Sequence, residues 1–522
     1  MWSTWWTTAA SRVCGSGRSR PTRRQIAAPD YVQYQALTFS PDGNYIYSVK
    51  YDGSNTVSQL FRIAIHGNSQ RKLIDDVDSG VTFSPDGRQI AFLRGYASRA
   101  EDARMVANAD GTEARVLTAR KRPEFFRRTD FFYFSRPSWS PDGKTIACAA
   151  GSHRESYMNV VEVELNGGQQ RAVTSRRWFS VGQVTWLKDK SGIVITAKES
   201  AFSPSQIWFI ARSGAVRRIT KDTLDYTDVS TTDNSETLAT IQTERLSSIW
   251  VAPHGDFGQA AEVSAAGRYN EGVAWTPNGR IVYASRASGT WHIWIMNRDG
   301  SDQQQLTFDG YLNRFPTVSR DGRHIVFVSD REGGAQNIWR MDTDGRNPLR
   351  LTDDGMARFP HCSPDNWVVY TSYGSGKVTL WKVPLSGGNA LQLTDKLASW
   401  PVVSPDGRLV ACTYREESYA PFEIAVISVE GGTTLKRFKV SPSVSLPDLI
   451  RWTADGKALT FIETRDGISN IRGLFVDDGA LFQLTDFRSD QIFYFDWSSD
   501  GKWLACSRGT TTKEVVLISN FR

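Results

Sequence analysis

The stretch Trp139-Ser140-Pro141-Asp142-Gly143-Lys144-Thr145-Ile146 decides the fold, because its grammar recurs along the chain. Pro presets φ, the Asp carboxylate accepts hydrogen bonds from nearby backbone N–H groups, and Gly takes a conformation that other residues resist. Ser-Pro-Asp-Gly therefore reads as a tight turn. The aromatic residue three places before the Asp and the apolar residue four places after it fall at matched inward positions on the two strands that the turn joins.

Working outward, the centre of this phrase recurs at Asp42, Asp86, Asp142, Asp189, Asp233, Asn278, Asp321, Asp365, Asp406, Asp455 and Asp500, which makes eleven copies. Their spacings run from 41 to 56 residues. The inward position on the second strand holds Ile46, Ile90, Ile146, Ile193, Val282, Ile325, Val369, Val410, Leu459 and Leu504, and only Thr237 breaks the series. A third strand opens at Ile207-Trp208, Ile249-Trp250, Ile293-Trp294, Ile338-Trp339 and Leu380-Trp381. A fourth ends at Leu117-Thr118, Ile219-Thr220, Leu306-Thr307, Leu351-Thr352, Leu393-Thr394 and Leu484-Thr485. Four strands in a repeat of this length make a propeller blade. Period-two strands exclude a helical solenoid, and a β-sandwich array needs repeats of roughly 100 residues.

The reading is an all-β protein: a β-propeller of four-stranded blades with eleven repeats. Propellers typically hold about 4 to 8 blades, so two rings are expected. Residues 1–30 read as a disordered Arg-rich tail, 31–255 as a first propeller of about five repeats, and 256–522 as a second of about six. The last copy stops after its third strand, at Val515 to Ser519, so an earlier strand must complete that blade. Residues 260 to 265, or the segment before Tyr31, could supply it.

Composition agrees with many short strands and tight turns: 18 Trp, 17 Tyr and 26 Phe stand beside 42 Gly. The net charge of +6 is concentrated in Arg12, Arg18, Arg20, Arg23 and Arg24, leaving the rest almost neutral. A general polyanion-binding surface, and so nucleic acid, is not expected. No apolar window of about 18 residues is present, so no membrane span is expected. The first 24 residues lack the unbroken apolar run of a secretory signal, Cys14 lacks a convincing lipobox, and no apolar run follows Arg23-Arg24.

Motifs for chemistry are sparse. His66, His153, His254, His292, His324 and His361 show no metal-site spacing, and neither a metal nor a cofactor is expected. Cys148, Cys412 and Cys506 each fall six residues after a repeat centre, at equivalent strand positions too far apart in a ring to pair. Acidic pairs such as Asp342 with Asp344 read as turn residues. No G-x-S-x-G elbow occurs.

The one local oddity is the 56-residue gap between Asp86 and Asp142, which holds Ala119 to Phe134. There Arg120, Lys121, Arg122, Arg127 and Arg128 could grip an acidic peptide or glycan while Phe125, Phe126 and Tyr133 stack on it. The plainer reading is a blade connection with its aromatics packed inward and its cations solvated.

The repeated [FW]-S-P-D-G, followed by an apolar strand, I-W and L-T, resembles the bacterial TolB-type propeller repeat, a relative of WD repeats, over residues 31 to 522. Ala107 to Gly111, Arg120 to Phe126, Ile249 to Pro253 and Val515 to Arg522 resemble the C-terminal propeller region of bacterial serine/threonine protein kinases. The resemblance implies a sensor or docking domain with a protein or peptide partner, in an extracytoplasmic setting, its signalling carried by another domain. No Gly-rich nucleotide loop, H-R-D or D-F-G is present, so kinase activity does not carry over. The expectation is a non-catalytic binding module; the alternative is a propeller enzyme, a hydrolase or lyase, with its active site in the axial channel.

Overall fold

The fold was obtained as a computed structural model. It describes residues 33–521 except 52–57, 67–68, 97–98, 128–134, 153–156, 201–202, 255, 265–268, 311, 333–334, 375–376, 417–421 and 441–449. Among these residues there is no α-helix; the named strands pair antiparallel, with a 3-10 turn at Phe257–Gln259 and isolated parallel bridges at Trp291–Leu312 and Gln336–Met356. The protein is a β-propeller of four-stranded blades.

The turn phrase does what its chemistry demands. In the third blade Ser140 Oγ donates to Asp142 Oδ1 at 2.7 Å, and that oxygen also accepts the Lys144 N–H at 3.1 Å. Thr145 N–H returns to Ser140 Oγ at 3.0 Å, and Gly143 sits at φ 73°. Trp139 and Ile146 are then paired across the two strands and buried with Ala91 and Val106 of the preceding blade. The core is accordingly a series of apolar layers between successive sheets.

The chain divides into two compact units, one of residues 245–511 and the other of residues up to 244 together with 512–522. The repeat spacing places a single boundary at 255 instead. The difference arises because Thr237–Pro253 and Trp503–Ser519 are each one continuous strand of 17 residues with no turn residue at the division.

In the 245–511 unit, five complete blades follow one another from Asn270–Trp275 to Leu481–Gln483. The sixth takes Gln491–Trp497 and the first half of Trp503–Ser519 from the end of the unit. Its outer strands come from the beginning: the second half of Thr237–Pro253, and Ala261–Glu262. Residues 261–262 thus complete the last repeat from the segment the sequence offered, but Val515 to Ser519 are not that repeat's third strand.

They belong to the other unit. Its fifth blade consists of Asp225–Thr231, the first half of Thr237–Pro253 and the last residues of Trp503–Ser519. Phe521, 3% exposed, packs with Leu187, Val194, Ile207, Tyr226, Val229 and Leu238 of this unit. The Arg217 guanidinium donates to the Phe521 carbonyl oxygen.

Candidate binding site

The cluster singled out above lies between the second and third blades of the unit formed by residues up to 244 with 512–522, the first unit in chain order. Arg120 and Lys121 end the strand Arg115–Lys121, Arg122 follows in a turn, and Glu124–Phe126 forms a short strand paired with Ala150, Gly151 and Ser152. Ser138–Trp139 pairs with the same long strand further along, so the inner strand of this blade arrives in two pieces, which accounts for the long gap. Phe126 is 1% exposed and packs with Leu93, Cys148, Ala150, Val161 and Val163. Phe125 packs against the Trp178 cluster. Arg120 stacks over Phe126 at 5.1 Å and donates to Gln170 Oε1 at 2.7 Å. Arg127 is half-buried, and among the described residues only Lys121 and Arg122 of the named cations are exposed. Arg128 and Tyr133 lie outside the described residues.

What sequence reasoning missed is on the inner strands. At Phe315, Phe359 and Trp400 the inner strand carries a bulge, with φ of 55°, 54° and 55° and register shifts at Arg314/Thr317, Arg358/His361 and Ser399/Val402. A bulge re-aims a side chain, and the prolines that follow, Pro316, Pro360 and Pro401, have no N–H to leave unpaired there. The visible signal was the recurring aromatic-Pro pair one phrase ahead of the turn.

In the 245–511 unit these side chains meet. Phe359 stacks on Trp400 at 3.5 Å, Phe315 meets Phe359 at 4.8 Å and Trp400 at 5.7 Å, and Tyr494 lies 6.3 Å from Phe315. Four blades contribute, some not neighbours in the ring, so the cluster sits on the axis. Arginines flank it: Arg314 pairs with the buried Glu271 and stacks on Trp291 and Phe315, and Arg358 stacks on Tyr373 at 4.9 Å.

Two residues further along the inner strands lies a polar group. Arg451 Nε is 3.1 Å from Asp496 Oδ1, and Trp275 N–H donates to Asp496 Oδ2 at 3.3 Å. His361 Nδ1 accepts the Val403 N–H at 3.2 Å. Burial, and then the Arg451 charge, push the His361 imidazole down to about 3, so it is neutral. Burial pushes the Asp496 carboxyl up against the opposing pull of Arg451.

The first unit fills its axis differently. Arg136 Nη2 donates to Gln183 Oε1 at 3.4 Å and to the Val229 carbonyl at 3.3 Å, and Gln183 Nε2 donates to Asp228. Burial raises the Asp228 carboxyl, with Arg136 opposing. A Cβ on Gly80 would come within 3.1 Å of Ala36 and 3.3 Å of Arg136, so the missing side chain makes room for the guanidinium arm.

Among the described residues no group of three or more His, Cys, Asp or Glu side chains stands together as a metal site, and no helix is long and apolar enough to cross a membrane. Cys148, Cys362, Cys412 and Cys506 form no disulfide. Burial pushes the thiols of Cys362, Cys412 and Cys506 up to about 12.

The fold and its repeated inner strands define the class: a multi-bladed all-β propeller. Within it, residues 257–447 match the TolB beta propeller domain. The chain is similar to dipeptidyl-peptidase 5 of Porphyromonas gingivalis, 27% identical over 155 residues, 28% of this chain and 22% of that protein. It is also similar to an uncharacterised protein of Agrobacterium fabrum, 33% identical over 198 residues, 38% of this chain and 66% of that protein. The chain therefore spans 22% of the length of the first curated relative and 66% of the second. Among solved structures it resembles TolB from Acinetobacter baumannii at 16% identity, covering 78% of this chain and 80% of that one with a TM-score of 0.22. The tricorn protease shares 16% identity, covering 94% of this chain and 44% of that one with a TM-score of 0.29.

Proposed function

We propose that the protein is a non-catalytic binding module, with a protein or peptide partner held over the axis of the 245–511 unit. The observation that carries this reading is the cluster of Phe315, Phe359, Trp400 and Tyr494 flanked by Arg314 and Arg358. Aromatic and Arg side chains concentrate binding energy at interfaces because they bring large area and directional contacts at small entropic cost. Each inner strand starts where its neighbour ends, as Asn313 pairs with Ser329, so the cluster lies towards the ring face where the loops between blades converge. The match to the TolB beta propeller domain falls within this unit and supports the reading. A sensor role beside a separate signalling domain, as the kinase-type resemblance implies, belongs to the same proposal. The Lys121–Arg122 pair is its second contact surface.

The test is selection of peptides from a random display library on the full chain, followed by titration of the enriched peptides. Peptides that bind the parent and lose about tenfold or more on Trp400→Ala or Arg358→Ala support the reading. Enrichment indifferent to both substitutions and to Lys121→Ala with Arg122→Ala overturns it.

A further inference from the structure

Between the third and fourth blades of the first unit lies a cavity of about 180 Å3, whose lining includes Glu162, Arg171, Trp186, Arg212, Ser213 and Gly214. Glu162 stands on Tyr157–Glu164, Arg171 on Gln170–Ala172, and Arg212 in the turn after Gln206–Ala211. The Glu162 side chain is 4% exposed. Its carboxylate accepts Arg171 Nη2 at 2.6 Å through one oxygen and Arg212 Nη1 at 3.0 Å through the other. Arg212 also lies over the Trp186 ring at 5.0 Å.

This cluster departs from the repeat. The backbone N–H of Arg212 donates to the Ser191 carbonyl, the same bond that Ile65, Ala109, Leu165, Leu385, Val429 and Val476 make in other blades, and Thr343 and His254 in two more. Six of those blades put an apolar side chain at the position; here a guanidinium takes its place. Two guanidiniums share this one buried carboxylate, and Glu164 is the other acid that acts on Arg171. Each guanidinium has five N–H donors and directs one at Glu162, and the two side chains are 75% and 53% exposed.

We propose that this cavity is a binding site for a small oxyanion, the phosphate or carboxylate group of a small molecule. Arg171 and Arg212 hold the anion by charge-assisted hydrogen bonds, and Glu162 is the positioning residue that keeps both guanidiniums aimed. This site is independent of the axial cluster in the other unit.

The experiment is calorimetric titration of the full chain with inorganic phosphate, and separately with acetate, at constant ionic strength in chloride. Saturable binding of at least one anion is expected, weakened about tenfold or more by Arg171→Gln and by Arg212→Leu, as the loss of a charge-assisted hydrogen bond implies. In each variant Glu162 keeps the other guanidinium as a partner, and circular dichroism checks that the fold is retained. Binding of phosphate alone assigns a phosphate ligand, and binding of acetate alone a carboxylate. Absence of saturable binding by both anions, or binding that either arginine variant leaves unchanged, overturns the proposal.

Discussion

Arg451 and Asp496, on the last two inner strands of the 245–511 unit, are joined at 3.1 Å and about four-fifths buried. Removing one partner of such a pair leaves an uncompensated charge in a poorly solvated site, whereas replacing both need not. Asp496→Asn should therefore lower unfolding free energy by about 3 kcal/mol, and Arg451→Met with Asp496→Leu should recover most of the loss. Urea denaturation of the single and double variants measures this; equal losses in both would show that shape, not charge, matters there.

His361 makes a pH prediction from the same region. Its native pKa lies near 3, below the unfolded value of 6.5, so the unfolded chain takes up a proton that the folded chain refuses. Stability is then full above pH 6.5 and falls as the pH drops towards 3. His361→Gln should remove that part of the slope, and the imidazole resonance should stay unprotonated through pH 5 to 8.

The turn aspartates act in a lower window. Hydrogen bonds from Ser140 and then Lys144 hold the Asp142 carboxyl below its ordinary range, and Ser404 and Arg408 do so for Asp406. Their contribution is complete above the unfolded value near 4 and disappears as the pH falls through the lower native one. Asp142→Asn and Asp406→Asn should flatten the acid limb of a stability profile below pH 4, with little change in its slope above pH 5.

Phe126 and its exposed neighbours should behave oppositely. Phe126→Ala empties a fully buried site and should cost about 3–5 kcal/mol, while Lys121→Ala and Arg122→Ala should stay within about 0.5 kcal/mol. Thermal and urea denaturation distinguish the two classes directly.

The blades were legible because the turn phrase and its flanking apolar positions are local: Trp139, Asp142, Gly143 and Ile146 each report their own conformation. The division between units was not, since Glu244 and Arg245 lie mid-strand and nothing in their side chains marks a change of partner. The axial groups were hidden for a different reason. His361, Arg451 and Asp496 are scattered over 136 positions and converge only through ring closure. Phe126 was misleading because an aromatic among arginines looks the same in sequence whether it faces solvent or a core.

Residues 512–521, which supply a strand and the buried Phe521 to the unit formed by residues up to 244, also bear on biosynthesis. At about 5–20 residues per second, a ribosome takes tens of seconds to pass from Glu244 to Thr512. The earlier-made ring waits through that interval with one edge open, while every strand of the other is emerging. Order of synthesis and order of completion are therefore reversed: the ring begun first is the last to close.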